Sequence, residues 1–434
     1  MAEIAPFRAL RYNPRLVPDL RAVVTPPYDI ISPEAQAGYY ARDPYNVVRL
    51  VLAQHTAPET PGLDRYQAAA RTYAAWRREG VLIRDAEPGI YVYEQAFTVS
   101  GHSYRRQGIL ALLKLAEYGE GVVFPHERTF PRHKDDRLQL MRACPAHLES
   151  ILAFYPSQTR SLSALLDQCM QNDPLARVID DGMAHQLWSM SDAGWVAAAV
   201  LALKDQPVII ADGHHRYETA LNFRNERART DRARGPEHFV LVHLVAADDP
   251  GLLILPTHRL VRGPIPLDIE ARLGQGFAVE CFAARDAAHL RGMLAESRGR
   301  QGVSFLMYIG KGATLRLRGT GGPNADSIGS AMWPDADVLH RQIFGECLDL
   351  GPDPDRIAYT HSEAEAIAAV DAGSASLACL MTPPSVAQVQ AVALSGGRMP
   401  QKSTYFYPKV MSGLVLHPIE EGERVPVPTG PRDI

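Results

Sequence analysis

"IIADGHHRYETAL", residues 209–221, decides how the chain is to be read. The stretch "QPVIIADG" (206–213) reads as a short buried strand ending at Gly213, and "HRYETALNFRNERART" (215–230) reads as a helix. A strand that enters a helix through a glycine presents main-chain N–H groups lacking intrahelical partners. Those groups, together with the helix dipole, favour an anion. Arg216 can add a bidentate contact to phosphate or carboxylate. His214 and His215 supply ring N–H donors. Asp212 does not favour an anion; its natural roles are magnesium ligand, orienter of an imidazole, or base. Neighbouring histidines on a helix point about 100° apart, so they make a poor pair of ligands for one zinc. The bland alternative is a helix cap with polar surface residues. Four functional side chains at one strand-to-helix turn favour a site.

Working outward, 434 residues exceed one small core and suggest two or three domains. Hydrophobic residues make up 46% and charged residues 22%, as in an ordinary soluble globular protein. A net charge of −4, from 49 acids and 45 bases, gives no general attraction to nucleic acid or an anionic membrane. The five cysteines (Cys144, Cys169, Cys281, Cys347, Cys379) are far apart and form no C-x-x-C pair. Reduced buried thiols in a cytoplasmic protein are expected. The N-terminal "MAEIAPFRALRYNP" is not a signal peptide, and no apolar run is long enough to span a membrane.

The chain shows no internal repeat. "QHTAPETPG" (54–62) reads as a loop, and "LDRYQAAARTYAAWRREG" (63–80) as a helix with Tyr66, Ala69, Ala70, Tyr73 and Trp76 on one face. "GIYVYEQAFTV" (89–99) and "SYRRQGILALLKL" (103–115) flank a short turn and predict a hairpin. An aspartate cap opens the helix expected over 192–205. Strands are expected over 238–247 and 252–261, and a hairpin over 303–319. The proline-rich end, 425–434, reads as a loose tail. Mixed hairpins and helices predict an α+β (mixed α/β) fold rather than a doubly wound sheet. The expected organisation is a phosphate-binding core over 1–262, a second α/β region over 263–400, and a loop and tail over 401–434 that return to the core. The second region is open to three roles: substrate binding, homodimer contact, or support of the fold.

Other polar clusters widen the candidate set. "VVFPHERTF" (122–130) places His126, Glu127 and Arg128 after an apolar run, and "PRHKDDRLQLMRA" (131–143) adds Lys134 and Arg137. Cations from these segments can hold phosphate, and Glu127 can serve as a base. The alternative for the second segment is a solvated helix face with Asp–Arg pairs. "TPPYDIIS" (25–32) fixes Asp29 in a proline-stiffened loop, either as a helix cap or as a catalytic carboxylate. "DPYNVVRL" (43–50) carries Arg49, "LPTHRL" (255–260) carries His258 and Arg259, and "MPQKSTYFYPKVMSG" (399–413) carries Lys402 and Lys409. No P-loop, dinucleotide-binding fingerprint or G-x-S-x-G elbow is present.

Taken in order, "PFRALRYNP", "VVTPPYDIIS", "PYNVVRL", "VVFPHERT", "KDDRLQLMRA", "IIADGHHRYETAL", "LPTHRL" and "MPQKSTYFYPK" resemble the bacterial and archaeal family called domain of unknown function 1015. That resemblance spans about residues 4–415 and carries no function. "DGHHRYETA" (212–220) is similar to the phosphate-binding motif of the ParB/sulfiredoxin superfamily, in which Gly-x-(His/Arg)-Arg-(Tyr/Phe) opens a helix. The superfamily includes nucleotide-binding segregation proteins, sulfiredoxins and free-serine kinases. The nearest cysteine, Cys169, is far upstream, which argues against sulfinic acid reduction. No helix-turn-helix segment is evident, which argues against chromosome partition.

The resemblance implies a phosphotransferase on a ParB/sulfiredoxin-like core. It would act on the hydroxyl of a small metabolite, free L-serine first, with pyrophosphate, ADP or ATP as donor. Gly213, His214, His215 and Arg216 would hold the donor, with His126, Arg128, Lys134 and Arg137 completing the cradle. Asp212 would ligate magnesium, and Asp29 or Glu127 would take the hydroxyl proton, with His215 a further catalytic candidate. Arg49, His258, Arg259 and Lys402 would bind the amino-acid acceptor. The rival readings are a non-catalytic nucleotide-binding regulator and a phosphate-releasing hydrolase.

Overall fold

The computed structural model describes residues 2–54, 64–128, 131–156, 161–204, 206–227, 234–283, 286–297, 304–319, 335–350 and 356–426. The expected loop over 54–62 and the expected tail therefore lie almost wholly outside the described residues. The chain divides into two compact units. The first comprises Met1–Pro125, Thr129–Leu252 and Pro408–Ile434; the second comprises His126–Arg128 and Leu253–Tyr407.

The first unit is built on a nine-stranded sheet. Its strands are β1 (Ile4–Ala5), β2 (Ile90–Val99), β3 (His102–Lys114), β4 (Val123–Pro125), β5 (Ile151–Tyr155), β6 (Ala176–Asp180), β7 (Met183–Met190), β8 (Val208–Asp212) and β9 (Phe239–Ala246). They run in the order β4-β8-β5-β9-β3-β2-β7-β6, with β1 paired to β3. The pairs β8–β4 and β9–β5 are parallel and the others antiparallel, which is the mixed α+β architecture expected. The expected hairpin is β2–β3, closed by the two-residue turn Ser100–Gly101.

Helices α1 (Pro33–Arg42), α2 (Val48–Val51), α3 (Arg65–Arg78), α4 (Pro131–Ala143), α5 (Ser161–Cys169), α6 (Ala193–Leu203) and α7 (His214–Arg227) belong to this unit. Asp64 caps α3 by accepting from the N–H groups of Tyr66 and Gln67, and Ala69, Tyr73 and Trp76 are buried along the expected face. Asp192 caps α6 by accepting from Trp195 N at 2.8 Å. On α7, Tyr217, Ala220 and Leu221 join the core formed by Ile151, Ile210 and Leu244. Phe223 meets Leu138 and Met141 of α4. Both sides of α7 are thus anchored, which fixes where its first turn stands.

The second unit holds a six-stranded sheet of antiparallel pairs. Its strands are β10 (His258–Val261), β11 (Phe277–Ala283), β12 (Ser304–Gly310), β13 (Ala313–Gly319), β14 (Ile357–Thr360) and β15 (Leu377–Leu380), ordered β11-β13-β12-β15-β10-β14. The expected hairpin over 303–319 is β12–β13. The single strand expected over 252–261 is instead two. Leu253–Leu255 pairs with Tyr405–Tyr407, while His258–Val261 enters the six-stranded sheet. Pro256 has no N–H to give a ladder, so pairing breaks there. The five cysteines are free thiols, four of them buried. Among the described residues no helix is long and apolar enough to cross a membrane.

The sheet of the first unit is tight at Gly108, where a β-carbon would stand 2.2 Å from Leu244 O and 2.8 Å from His243 Nε2. Gly108→Ala is expected to cost about 2 kcal/mol or more, the range of overpacked cores. Urea unfolding measures it, and an unchanged midpoint would contradict the β3–β9 register.

Candidate functional site

The turn between β8 and α7 is the chemical centre of the first unit. Along β8, Val208, Ile209, Ile210 and Ala211 are buried. The register against β5 slips between Ile210 and Asp212: Ile210 faces Ala153, yet Asp212 faces Leu152. A bulge of this kind turns the last side chain away from its normal alternation. Gly213 then adopts φ +90°, a left-handed conformation that a side chain disfavours. A β-carbon there would also meet Arg216 Nε and Ile151 Cγ2 at 3.0 Å. The glycine therefore serves twice: it makes the turn, and it leaves room for Arg216 to fold back beneath it.

Arg216 uses that room. Its Nη2 donates to Asp212 Oδ2 at 2.6 Å, and its Nη1 donates to Ser150 O. The other carboxylate oxygen, Asp212 Oδ1, accepts from the ammonium of Lys409. Both cations and the acid are nearly buried, with side-chain exposures of 10%, 11% and 13%. Burial alone would raise the Asp212 carboxyl, but the Lys409 and Arg216 charges overcome it and hold Asp212 far below the carboxylate range. The same carboxylate, aided by Glu149, Asp29 and Tyr28, outweighs burial at Arg216 and keeps its guanidinium firmly charged. The sequence assigned Arg216 to a donor phosphate; the structure spends it inside the protein.

Lys409 reaches Asp212 because its main chain is clamped. Arg106 and Gln95 face each other across β3 and β2. Arg106 donates to Gln95 Oε1 at 3.1 Å and to Pro408 O at 2.6 Å, while Gln95 Nε2 donates to Lys409 O at 3.0 Å. Burial, with no carboxylate in contact, pulls Arg106 down to about 10. Thr25 and Ser412 exchange main-chain hydrogen bonds one step further along.

A second acid, Glu149, ties the proline-stiffened loop to this centre. Its Oε1 accepts from Tyr28 N at 3.0 Å and from Ser412 Oγ at 2.9 Å. Burial raises the Glu149 carboxyl above its ordinary value, against the opposing charges of Arg216 and Arg137. Asp29, next to Tyr28, is exposed and lies within electrostatic reach of Arg216 and Glu149. A cavity of about 40 Å³, water-sized, is lined by Arg137, Glu149 and Arg216 among others.

At the start of α7, His214 is buried and His215 half-buried, as the 100° offset requires. The remaining predicted residues sit elsewhere. Lys134 pairs with Glu218 at 2.9 Å. Arg137 pairs with Asp136 at 2.6 Å, donates to Val51 O at 2.7 Å, and lies over the Tyr28 ring at 3.9 Å. Neither is an open phosphate ligand. Arg49 donates to Tyr40 O at 2.9 Å and lines another cavity, of about 210 Å³, with Tyr40 and Trp76. His126, Glu127, Arg128, His258, Arg259 and Lys402 all belong to the second unit. There His126 meets Thr404 Oγ1 at 2.8 Å, and Glu127 accepts from Lys402 N at 3.0 Å. His258 accepts from Met381 N at 3.2 Å. Lys409 thus occupies at Asp212 the place that the sequence gave to no lysine.

The expected magnesium role of Asp212 does not fit this geometry. Each of its oxygens already faces a cation, and a metal would have to displace one. Among the described residues no group of three or more His, Cys, Asp or Glu is arranged to hold a metal ion.

Two substitutions test the turn. Gly213→Ala is expected to cost about 1–3 kcal/mol through the left-handed backbone. Asp212→Asn leaves two buried cations without their acid and is expected to cost about 3–5 kcal/mol at pH 7. Asp212 titrates lower in the folded chain than in the unfolded one. Its contribution is therefore full above the unfolded value near ~4 and fades as pH falls through the folded value. Denaturant titrations of wild type and Asp212→Asn should give a stability gap that narrows below that pH. A gap that widens on acidification would contradict the ion-pair arrangement.

Among solved structures, the chain is similar to a conserved hypothetical protein from Pyrococcus furiosus, with 13% identity and TM-score 0.33 over 66% of this chain and 89% of that one. It is also similar to a free serine kinase in complex with AMP, with 11% identity and TM-score 0.34 over 66% and 86% of the two chains. A third likeness is to SbnI with C-terminal truncation from Staphylococcus aureus, with 12% identity and TM-score 0.32 over 70% and 86%. Likenesses this distant carry no argument about the site. No curated protein matches the chain. Residues 4–339 match the family described as Protein of unknown function (DUF1015), and the chain belongs to that family.

Proposed function

We propose that this protein transfers a phosphoryl group to the hydroxyl of a small metabolite, free L-serine first, from pyrophosphate or a nucleotide. One observation carries the proposal. At the start of a fourteen-residue helix, behind a left-handed glycine, two nearly buried cations share a single carboxylate. The positive charge of Lys409 and Arg216 and the positive end of the helix dipole act in the same direction, towards an anion. Charge neutralisation and positioning are what phosphoryl transfer needs from a protein.

The roles differ from the sequence-based assignment. The N–H groups of the first turn, with His214 and His215, face the donor phosphates. Lys409 supplies the mobile positive charge, since an ammonium on a flexible stem can shift from Asp212 towards a phosphate oxygen. Arg216 stays behind to hold Asp212. Asp29 is the candidate base, an exposed carboxylate on a stiff loop that Glu149 ties in place. Magnesium belongs to this proposal as the donor's counter-ion rather than as a resident of an Asp212 site. The free thiols, four of them buried, fit the cytoplasm as its setting.

The test is direct. Purified protein is incubated with L-serine, magnesium and pyrophosphate, ADP or ATP in turn, and O-phosphoserine is measured by mass spectrometry. Lys409→Met is expected to lower kcat by about 100-fold or more, the scale of losing one group that stabilises transition-state charge. Asp29→Asn should also lower kcat, by about 10²–10⁴-fold for a lost base. No O-phosphoserine from any donor, or full activity in Lys409→Met, would remove the proposal. Phosphate release without a phosphorylated acceptor would identify a hydrolase instead.

A further inference from the structure

We propose that the second unit carries a separate binding site for a small oxyanion, a carboxylate or phosphate group, at the buried guanidinium of Arg259. The inference goes beyond the transfer reading and does not rest on it. Arg259 lies on β10 and is 1% exposed. Its hydrogen-bond acceptors are all neutral groups, and the Glu127 carboxylate lies within electrostatic reach. Nη1 donates to Thr257 O and to Met381 Sδ at 3.0 Å, Nη2 donates to Lys402 O at 3.0 Å, and the Tyr359 ring lies 5.8 Å away. Nε has no acceptor. Arg137 and Arg216, also largely buried, each hold a carboxylate. A buried charge with no carboxylate in hydrogen-bond contact is costly, and burial outweighs the pull of the Glu127 charge and brings Arg259 down to about 10.

A cavity of about 70 Å³ lies against this guanidinium, lined also by Thr257, Met381, Thr382, Gln388 and Ser403. Thr257 is 4% exposed, and its buried hydroxyl has no hydrogen-bond partner. Buried donors almost always find an acceptor, so an unsatisfied hydroxyl and an unsatisfied guanidinium N–H beside one cavity call for a ligand that accepts from both. An oxyanion accepts from both and brings a negative charge into direct contact with the guanidinium. At roughly 30 Å³ per water, the space suits a group the size of a carboxylate or phosphate, not a nucleotide.

The loop that closes the cavity is held in place on the same side. Lys402 has φ +59°, its N–H donates to Glu127 Oε1 at 3.0 Å, and its carbonyl accepts from Arg259. Ser403 Oγ donates to Pro400 O at 2.6 Å. A non-glycine residue in the left-handed region persists only where its surroundings fix it, and such positions gather at ligand sites.

Isothermal titration of the full chain with sodium phosphate, and separately with sodium acetate, tests this. Wild type should bind one equivalent of at least one of them. Arg259→Met should abolish that equivalent, and Thr257→Val should weaken it about tenfold, the worth of one charge-assisted hydrogen bond. Whichever anion binds names the source, carboxylate or phosphate. Phosphate held at the start of α7 would survive Arg259→Met as its own equivalent, which keeps the two sites apart. If Arg259→Met fails to fold by circular dichroism, Thr257→Val decides. The proposal is overturned if neither anion binds, or if Thr257→Val and a folded Arg259→Met both titrate like wild type.

Discussion

A carboxylate buried between two cations sets what the first unit can do. Asp212 sits at the end of a sheet strand, nearly out of water, with Arg216 on one oxygen and Lys409 on the other. Such a triad adds little net stability over apolar packing, because desolvating three charges is expensive. Its effect lies in geometry. Removing Asp212 leaves two buried cations without their acid, whereas removing either cation leaves one buried ion pair. The bulge in β8, the left-handed Gly213, the first turn of α7 and the returning chain at Pro408–Met411 are all consequences of satisfying that one acid.

The same interaction limits the chemistry. A guanidinium that holds Asp212 and Ser150 O has fewer N–H groups left for a phosphate. What remains available is the helix start, the two histidines, and whatever charge Lys409 can lend. Lysine suits that part better than arginine, since an ammonium has no fixed fork and can trade one oxygen for another without rebuilding its contacts. Glu149 extends the logic to the Tyr28–Asp29 loop. It accepts one main-chain and one hydroxyl hydrogen bond, and it places an exposed acid near the cationic centre while itself staying buried.

The local patterns were legible in the sequence and the long-range partners were not. The run "VIIADGHHR" showed its strand, its glycine bend and its helix, because apolar periodicity and a glycine before a polar turn act over a few residues. The β2–β3 hairpin and the capped helix α3 were legible for the same reason. Pro256 was visible too, yet the strand was read through it; a missing N–H matters only once the ladder partner is known. Lys409 stands 197 residues from Asp212. Nothing in "YPKVMSG" says that its lysine, rather than the one in "QKST", meets that acid. Arg216 shows the same limit: a guanidinium beside a phosphate-type turn reads as a ligand, and its contacts with Asp212 and the Ser150 carbonyl are visible only in the fold.

Buried arginines without carboxylate contacts explain how the C-terminal segment is routed. Arg106 donates to the carbonyl of Pro408 in the first unit, and Arg259 donates to the carbonyl of Lys402 in the second. In both, burial lowers the guanidinium to about 10, still charged at neutral pH. A neutral donor of that length would hold a carbonyl at far lower desolvation cost, so the charge itself needs a reason. For Arg106 the structure supplies one, because Gln95 and the Asp212 field share the load along the path that delivers Lys409. For Arg259 the hydrogen-bond acceptors are neutral, the Glu127 carboxylate acts through its charge, and a cavity is adjacent. What separates the two is the cavity that Arg259 lines together with Thr257, whose hydroxyl has no partner, and this is why the second arginine reads as half of a binding site rather than as a strut.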